Sequence, residues 1–149
     1  MSQLYAKNKK AFHDYEILET FEAGIVLNGD EVKSIKANQA NLKGSYVDVH
    51  NEEAFLNEAH ISRYKHSSRK THDPTRKRKL LLKKSQIEKI DQLINQKGIT
   101  ATPLELYAKQ GLIKLKIGIC RGKKLHDKRE TLKKRTQERD ALRAASRWR

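Results

Sequence analysis

The side chains that could do chemistry are few and poorly matched to one another. His66 and His72 stand in one stretch beside Asp73, but their spacing fits no strong zinc pattern and no cysteine joins them. They read as loop histidines or phosphate contacts. His13 and Asp14 are neighbours that fit an acid/base scheme, yet no nucleophile accompanies them. The adjacent carboxylates Asp30-Glu31 and Glu52-Glu53 fall at turn-like positions and mark no active site. There is no P-loop, GxGxxG, HExxH or CxxC. The expectation is a protein that is not an enzyme and uses no metal or cofactor.

The chemistry that is present is charge. The chain has 149 residues and a formal net charge of +15. Residues 63–79 hold eight Lys/Arg against one acid, and residues 121–149 hold twelve against four. These balances of +7 and +8 account for the whole +15, so the rest of the chain is neutral. One sign gathered in two blocks points to a polyanion held at two places. Arg76, Lys77, Arg78 and Lys79 are each expected to reach a phosphate, with salt-dependent affinity from every phosphate neutralised. Phe12, His13, Tyr15, Tyr64, His126 and Trp148 lie near basic residues and suit stacking on unpaired bases, although core packing is the stronger reading for Tyr15.

Something must position these groups. Residues 15–27 alternate with period two (Tyr15, Ile17, Phe21, Ala23, Ile25 and Leu27, interrupted by Glu19), which predicts a half-buried strand with a bend at Gly24. Asn28-Gly29-Asp30 is turn chemistry, with Asp30 expected to cap a short helix carrying Val32 and Ile35. Residues 45–49 and 54–56 predict a hairpin, and residues 63–79 an exposed loop. Ser85 with Glu88 predicts a capping box, then a helix through Ile87, Ile90, Leu93 and Ile94 that stops at Gly98. Residues 100–108 and 112–120 predict a second hairpin about Lys109-Gln110-Gly111. Its second strand turns Ile113, Leu115, Ile117 and Ile119 one way and Lys114, Lys116 and Gly118 the other, while Pro103 suits an edge or a strand start.

Several short strands with one capped helix predict a mainly β (α+β) fold, a small antiparallel β-barrel with flanking helices, over residues 1–120. Residues 121–149 form a second region: a basic C-terminal tail with few apolar residues, expected to be disordered alone and to order on binding. Hydrophobic residues make up 36% of the chain and charged residues 34%, so part of it is expected to lie outside any core. Cys120 is alone, no apolar run approaches a membrane span, and residues 1–10 lack the apolar stretch of a signal peptide. The expectation is a soluble, cytoplasmic protein without a membrane partner.

The residues also spell a pattern. The stretches Asn8-Lys9-Lys10-Ala11-Phe12-His13-Asp14-Tyr15, Glu19-Thr20-Phe21-Glu22-Ala23-Gly24-Ile25 and Gly29-Asp30-Glu31-Val32-Lys33-Ser34 are followed by Ala40-Asn41-Leu42-Lys43-Gly44-Ser45-Tyr46-Val47. Then come Glu53-Ala54-Phe55-Leu56, His60-Ile61-Ser62, His72-Asp73-Pro74-Thr75-Arg76, Arg78-Lys79-Leu80-Leu81-Leu82 and Gly122-Lys123-Lys124-Leu125-His126-Asp127-Lys128-Arg129-Glu130. In this order the chain closely resembles the small protein B family, the tmRNA-binding (SsrA-binding) proteins of bacterial trans-translation.

The resemblance implies an oligonucleotide-binding-type (OB-fold) β-barrel and a role in ribosome rescue. Such a protein binds the tRNA-like domain of transfer-messenger RNA, promotes its aminoacylation and its delivery with elongation factor Tu, and helps it enter stalled ribosomes so that incomplete proteins are tagged. Alanyl-tRNA synthetase and elongation factor Tu would be indirect partners, through tmRNA. By similarity Glu22, Leu81 and Lys114 fall at tmRNA-binding positions, and Asn8, Lys9 and His13 match an N-terminal motif suited to RNA or ribosome contact. Lys123, Lys124, His126, Asp127, Lys128 and Arg129 match the tail motif that enters the empty mRNA channel near the decoding centre, against small-subunit ribosomal RNA. Lys83 departs from the family's pattern after the Leu triplet, Arg63 stands where proline is expected, and the match fades beyond Glu130. The competing readings are a general or ribosomal RNA-binding protein without tmRNA specificity and, more distantly, a metal-dependent RNase.

Overall fold

The computed structural model describes residues 2–64 and 73–122. In chain order the elements are β1 (Ser2–Lys7), α1 (Lys9–Asp14), β2 (Tyr15–Ile25), α2 (Gly29–Lys36), β3 (Ala40–Asn41), β4 (Tyr46–His50), β5 (Glu53–Asn57), β6 (His60–Ile61), β7 (Arg78–Leu81), α3 (Lys84–Ile94), β8 (Ile99–Lys109) and β9 (Leu112–Gly122). This is a mainly β protein with a few helices. Seven strands form one antiparallel sheet in the order β1-β8-β4-β5-β7-β2-β9, and β9 pairs back onto β8. Six strands therefore run in a closed cycle of pairings, with β1 added along β8 and the short β3–β6 pair apart.

Period-two alternation builds the interior. Along β2, Ala23 and Ile25 are buried while Glu16, Leu18, Thr20 and Glu22 face outward. A bulge at Leu18 shifts the register between Ile17 and Glu19. Glu19, the polar interruption in the apolar parity, takes Lys89 of α3 at 2.7 Å. Ile35 of α2 and Ile90 of α3 are fully buried in the core formed by Leu56, Leu80, Leu106, Leu115 and Ile117. The expected β8–β9 hairpin is present, its two linking residues Gln110 (φ 52°) and Gly111 (φ 78°) both left-handed. That geometry is the primed turn whose twist matches paired strands.

A second, small core lies on the other face of the sheet. Between Pro103 and Glu105 the β8–β9 register slips by one residue. The extra residue, Leu104, is fully buried with Ala11 of α1 and Cys120, flanked by Phe12, Tyr15 and Ile17. Gly118 makes the room: a Cβ there would stand 2.6 Å from Leu104 Cδ1. Pro103 thus sits inside an interior strand, at a bulge, rather than at an edge or strand start, since a bulge removes the need for its missing N–H.

Four boundary expectations need correction. Asn28, not Asp30, caps α2: its side chain accepts from Glu31 N at 2.9 Å, and Glu31 Oε1 accepts from Asn28 N at 3.0 Å. The helix starts one step before the expected cap because this reciprocal pair satisfies two end donors at once. Likewise α3 starts at Lys84, and Gln86 Oε1 accepts from Lys83 N at 3.0 Å, so the Ser85–Glu88 box does not form. At its other end Asn95 is the C-cap, while Gly98 (φ 80°) turns the chain into β8. Residues 63–79 are not wholly loop either, because β7 begins at Arg78.

Candidate nucleic-acid interface

Strand register gathers three distant residues on one outward face. Gly24 of β2 lies opposite Lys114 of β9 on one side and Leu81 of β7 on the other. Directly opposed residues in a sheet point the same way, and so does a residue two positions along. Glu22, Leu81 and Lys114 therefore share a face. The row continues through Tyr107, opposite Lys114 on β8, to Leu4, opposite Tyr107 on β1. One step along, Glu22 faces Lys116, which pairs with Glu105 at 3.7 Å.

Two of the row's members are apolar yet in solvent: Leu81 is 55% exposed and Leu4 51%. Leu81 leans over Gly24, where an added Cβ would come within 3.2 Å of its Cβ. Beside it, a groove of about 260 Å³ runs between Leu81 and Leu112 and is edged by Lys36 and Lys114. A cleft of about 400 Å³ on the same face is lined by Leu4, Thr20, Glu22, Tyr107, Lys109 and Lys116, with Phe21 and Glu105.

Glu22 is held in place there. The Tyr107 hydroxyl donates to its Oε2 at 2.5 Å, and Lys109 Nζ lies 3.4 Å from the same oxygen. The Tyr107 bond, with Lys109 and Lys114 nearby, holds the Glu22 carboxyl below its ordinary pKa despite some opposing desolvation. The surface thus offers apolar area, an aromatic ring, lysines for phosphates and one ionised acceptor. That combination suits structured RNA with unpaired nucleotides.

The remaining expected contacts divide. Arg78 does not reach a phosphate. It is fully buried, donating from Nε to Glu31 Oε2 at 2.7 Å and from its other nitrogens to the carbonyls of Ala59, Arg76 and Pro74. A buried guanidinium must satisfy its donors inside the fold, and Glu31 is the counter-ion that lets it do so. Arg76 bonds the same carboxylate through Nε (3.0 Å) and Nη2 (2.5 Å), its side chain 36% exposed. Lys79 is exposed, 3.4 Å from Glu53, and Lys77 lies 4.5 Å from the centre of the Phe55 ring.

Asn8, expected to contact RNA, spends its side chain inside the fold. It is buried, caps α1 by accepting from Ala11 N at 3.2 Å, and donates to the carbonyls of Leu42 (3.3 Å) and Pro103 (3.0 Å). Lys9 beside it is exposed. His13 is half-buried with Nδ1 2.8 Å from Asp14 Oδ1. Phe12 and Tyr15 pack against the second core, as expected for Tyr15. Lys33 lies over the half-buried Tyr64 ring at 5.4 Å. His66, His72, Lys123, Lys124, His126, Asp127, Lys128, Arg129 and Trp148 lie outside the described residues. Among the described residues no three His, Cys, Asp or Glu side chains gather as a metal site, and no helix is long and apolar enough to cross a membrane.

Tyr107, Leu4 and Lys109 are members of the face to which the sequence reading gives no part in binding, Lys109 being read only as a turn residue. A signal for Tyr107 and Lys109 lies in the second hairpin. Folding it about Gln110-Gly111 sets Tyr107 opposite Lys114 and Glu105 opposite Lys116.

Known proteins resemble the chain along nearly its whole length. An SsrA-binding protein of Geotalea uraniireducens is 52% identical over 138 residues, covering 93% of this chain and 91% of that protein. One from Gloeothece citriformis is 51% identical over 148 residues, 99% and 96% of the respective chains. A chain in a solved structure described as "tmRNA-SmpB: a journey to the center of the bacterial ribosome" superposes with a TM-score of 0.69 at 42% identity, over 91% of this chain and 95% of that one. The family model for SmpB protein matches residues 5–147, and the chain belongs to the SmpB family.

Proposed function

We propose that this protein binds the tRNA-like domain of transfer-messenger RNA (SsrA RNA) and delivers it to stalled ribosomes for trans-translation, so that incomplete proteins are tagged. The observation that carries the reading is the near-full-length match to SsrA-binding proteins at about half identity. The solved tmRNA-SmpB relative supports the same partners, tmRNA and the ribosome. The closed cycle of strand pairings supports an oligonucleotide-binding-type barrel over residues 1–120.

Glu22, Leu81 and Lys114 sit on the tmRNA-facing side, where lysines supply phosphate affinity and the apolar rows take unpaired bases. Lys9, His13, Arg76 and Lys79 add contacts at the margins. Residues 121–149 serve as a basic tail that enters the empty mRNA channel near the decoding centre, with Lys123, Lys124, His126, Asp127, Lys128 and Arg129 against small-subunit ribosomal RNA. An mRNA in that channel competes with the tail for the same space, so tail entry reports a vacant channel. Elongation factor Tu and alanyl-tRNA synthetase meet the protein only through tmRNA, and the work takes place in the cytoplasm without a catalytic step of its own.

A reconstituted translation reaction on an mRNA lacking a stop codon tests this. With tmRNA present, adding the protein is expected to convert stalled chains to tagged ones. No tag above the level without protein would overturn the function.

A further inference from the structure

Glu22 is an odd residue for a phosphate-binding face. A carboxylate can only accept hydrogen bonds, and near a phosphate it repels. It stands among Lys109, Lys114 and Lys116, where a neutral or basic side chain would raise RNA affinity through charge alone. If Glu22 helps to bind RNA, it must do so by meeting a donor.

The structure leaves it one free oxygen for that purpose. Tyr107 and Lys109 both bond Oε2, and Oε1 has no hydrogen-bond partner among the described residues. The carboxylate lies at the edge of the cleft with Tyr107, Thr20 and Leu4, a space of about 400 Å³ that admits a nucleotide. The Tyr107 hydroxyl, donating to a charged acceptor, fixes the carboxylate's rotation, and such a bond also keeps the group ionised.

We infer that Oε1 of Glu22 accepts a hydrogen bond from a nucleotide donor, and that Tyr107 is the positioning residue that aims it. The inference rests on the proposed tmRNA binding and deepens it. The donor is an N–H of a base or the ribose 2′-hydroxyl, since these are what RNA presents to a carboxylate. Specificity follows, because an aimed acceptor rejects an RNA that offers a phosphate at the same place.

The test uses the full chain and the tRNA-like fragment of tmRNA, with ordinary tRNA as the comparison. Tyr107→Phe, which removes only the hydroxyl, is expected to weaken fragment binding roughly five- to tenfold. In a Glu22→Ala background the same change is expected to do almost nothing, because its target is gone. The slope of affinity against salt stays that of wild type, since the same phosphates are neutralised in both proteins. Lys109→Gln should lower that slope instead. Fragments with single 2′-deoxy or inosine-for-guanosine changes identify the donor: a penalty that disappears in Glu22→Ala marks it.

Wild-type affinity in Tyr107→Phe would overturn the inference. So would a full Tyr107→Phe loss in the Glu22→Ala background, which would make Tyr107 a contact in its own right. A wild-type protein that binds fragment and tRNA equally would instead overturn the function on which this rests.

Discussion

Arg78 and Glu31 form an ion pair at 2.7 Å with both side chains at 0% exposure. Arg78 opens β7 and Glu31 lies in the first turn of α2, so the pair ties the helix to the sheet. Arg76 joins from the partly exposed side, and Arg78 also clamps the carbonyls of Ala59 and Pro74. Removing one partner leaves the other charged and buried. Arg78→Ala is therefore expected to cost roughly 3–5 kcal/mol. Urea unfolding of the variant measures this, and a loss no larger than that of Lys79→Ala, an exposed neighbour, would contradict it.

Glu31 also sets an acid limit. Burial by itself would raise its pKa, but hydrogen bonds from Arg76, the Asn28 backbone and Arg78 hold it below the ordinary 4.5. A group with a depressed folded pKa binds its proton more readily unfolded. Its contribution is fully present above 4.5 and is lost as pH falls through the lower folded value. The urea midpoint should thus fall steeply on acidification below that point, and more gently in Glu31→Gln. Equal acid slopes in the two proteins would contradict the linkage.

Much of the architecture is legible in the sequence because local pattern and tertiary burial agree. The β8–β9 hairpin, β2 and the Ile90 face of α3 all carry a clear period and a nearby turn. Arg78 misleads because a run of four basic residues outweighs a weaker signal, the alternation of Arg78 and Leu80 inward with Lys79 and Leu81 outward. Its counter-ion lies 47 residues earlier, so nothing local announces the burial. Asn8 shows the same limit, since its bond to Pro103 spans 95 residues. The outward turn of Lys114 reads from the alternation of its strand, but its grouping with Glu22 and Leu81 is legible only through resemblance. Its geometric basis, the cross-strand row through Gly24, depends on pairing registers that single strands do not disclose.

Gly118 should resist any side chain. Gly118→Ala brings a methyl within 2.6 Å of Leu104 Cδ1, so Leu104 or the bulge must move. The expected cost is about 1–3 kcal/mol. Pairing it with Leu104→Ala should cost less than the sum of the two single changes, because the new methyl enters the space vacated. Strict additivity in thermal or urea unfolding would contradict the account of the second core.

The folded face and the basic tail should divide the work. Deleting residues 121–149 is expected to leave binding of the tRNA-like domain within roughly threefold of wild type while abolishing tagging of stalled chains, because in the proposed function the tail neutralises phosphates of the ribosome and not of tmRNA. Loss of most tmRNA affinity in the truncated protein would contradict this division.

In the proposed function, specific recognition of tmRNA runs through the Glu22 face. The most direct measurement is binding of the full chain to the tRNA-like domain of tmRNA and to ordinary tRNA, side by side at near-physiological salt, with Glu22→Ala alongside. A strong preference for the tmRNA fragment is expected, weakened in the variant by roughly tenfold or more. Equal binding to both RNAs, falling together as salt rises and unchanged in Glu22→Ala, would contradict it.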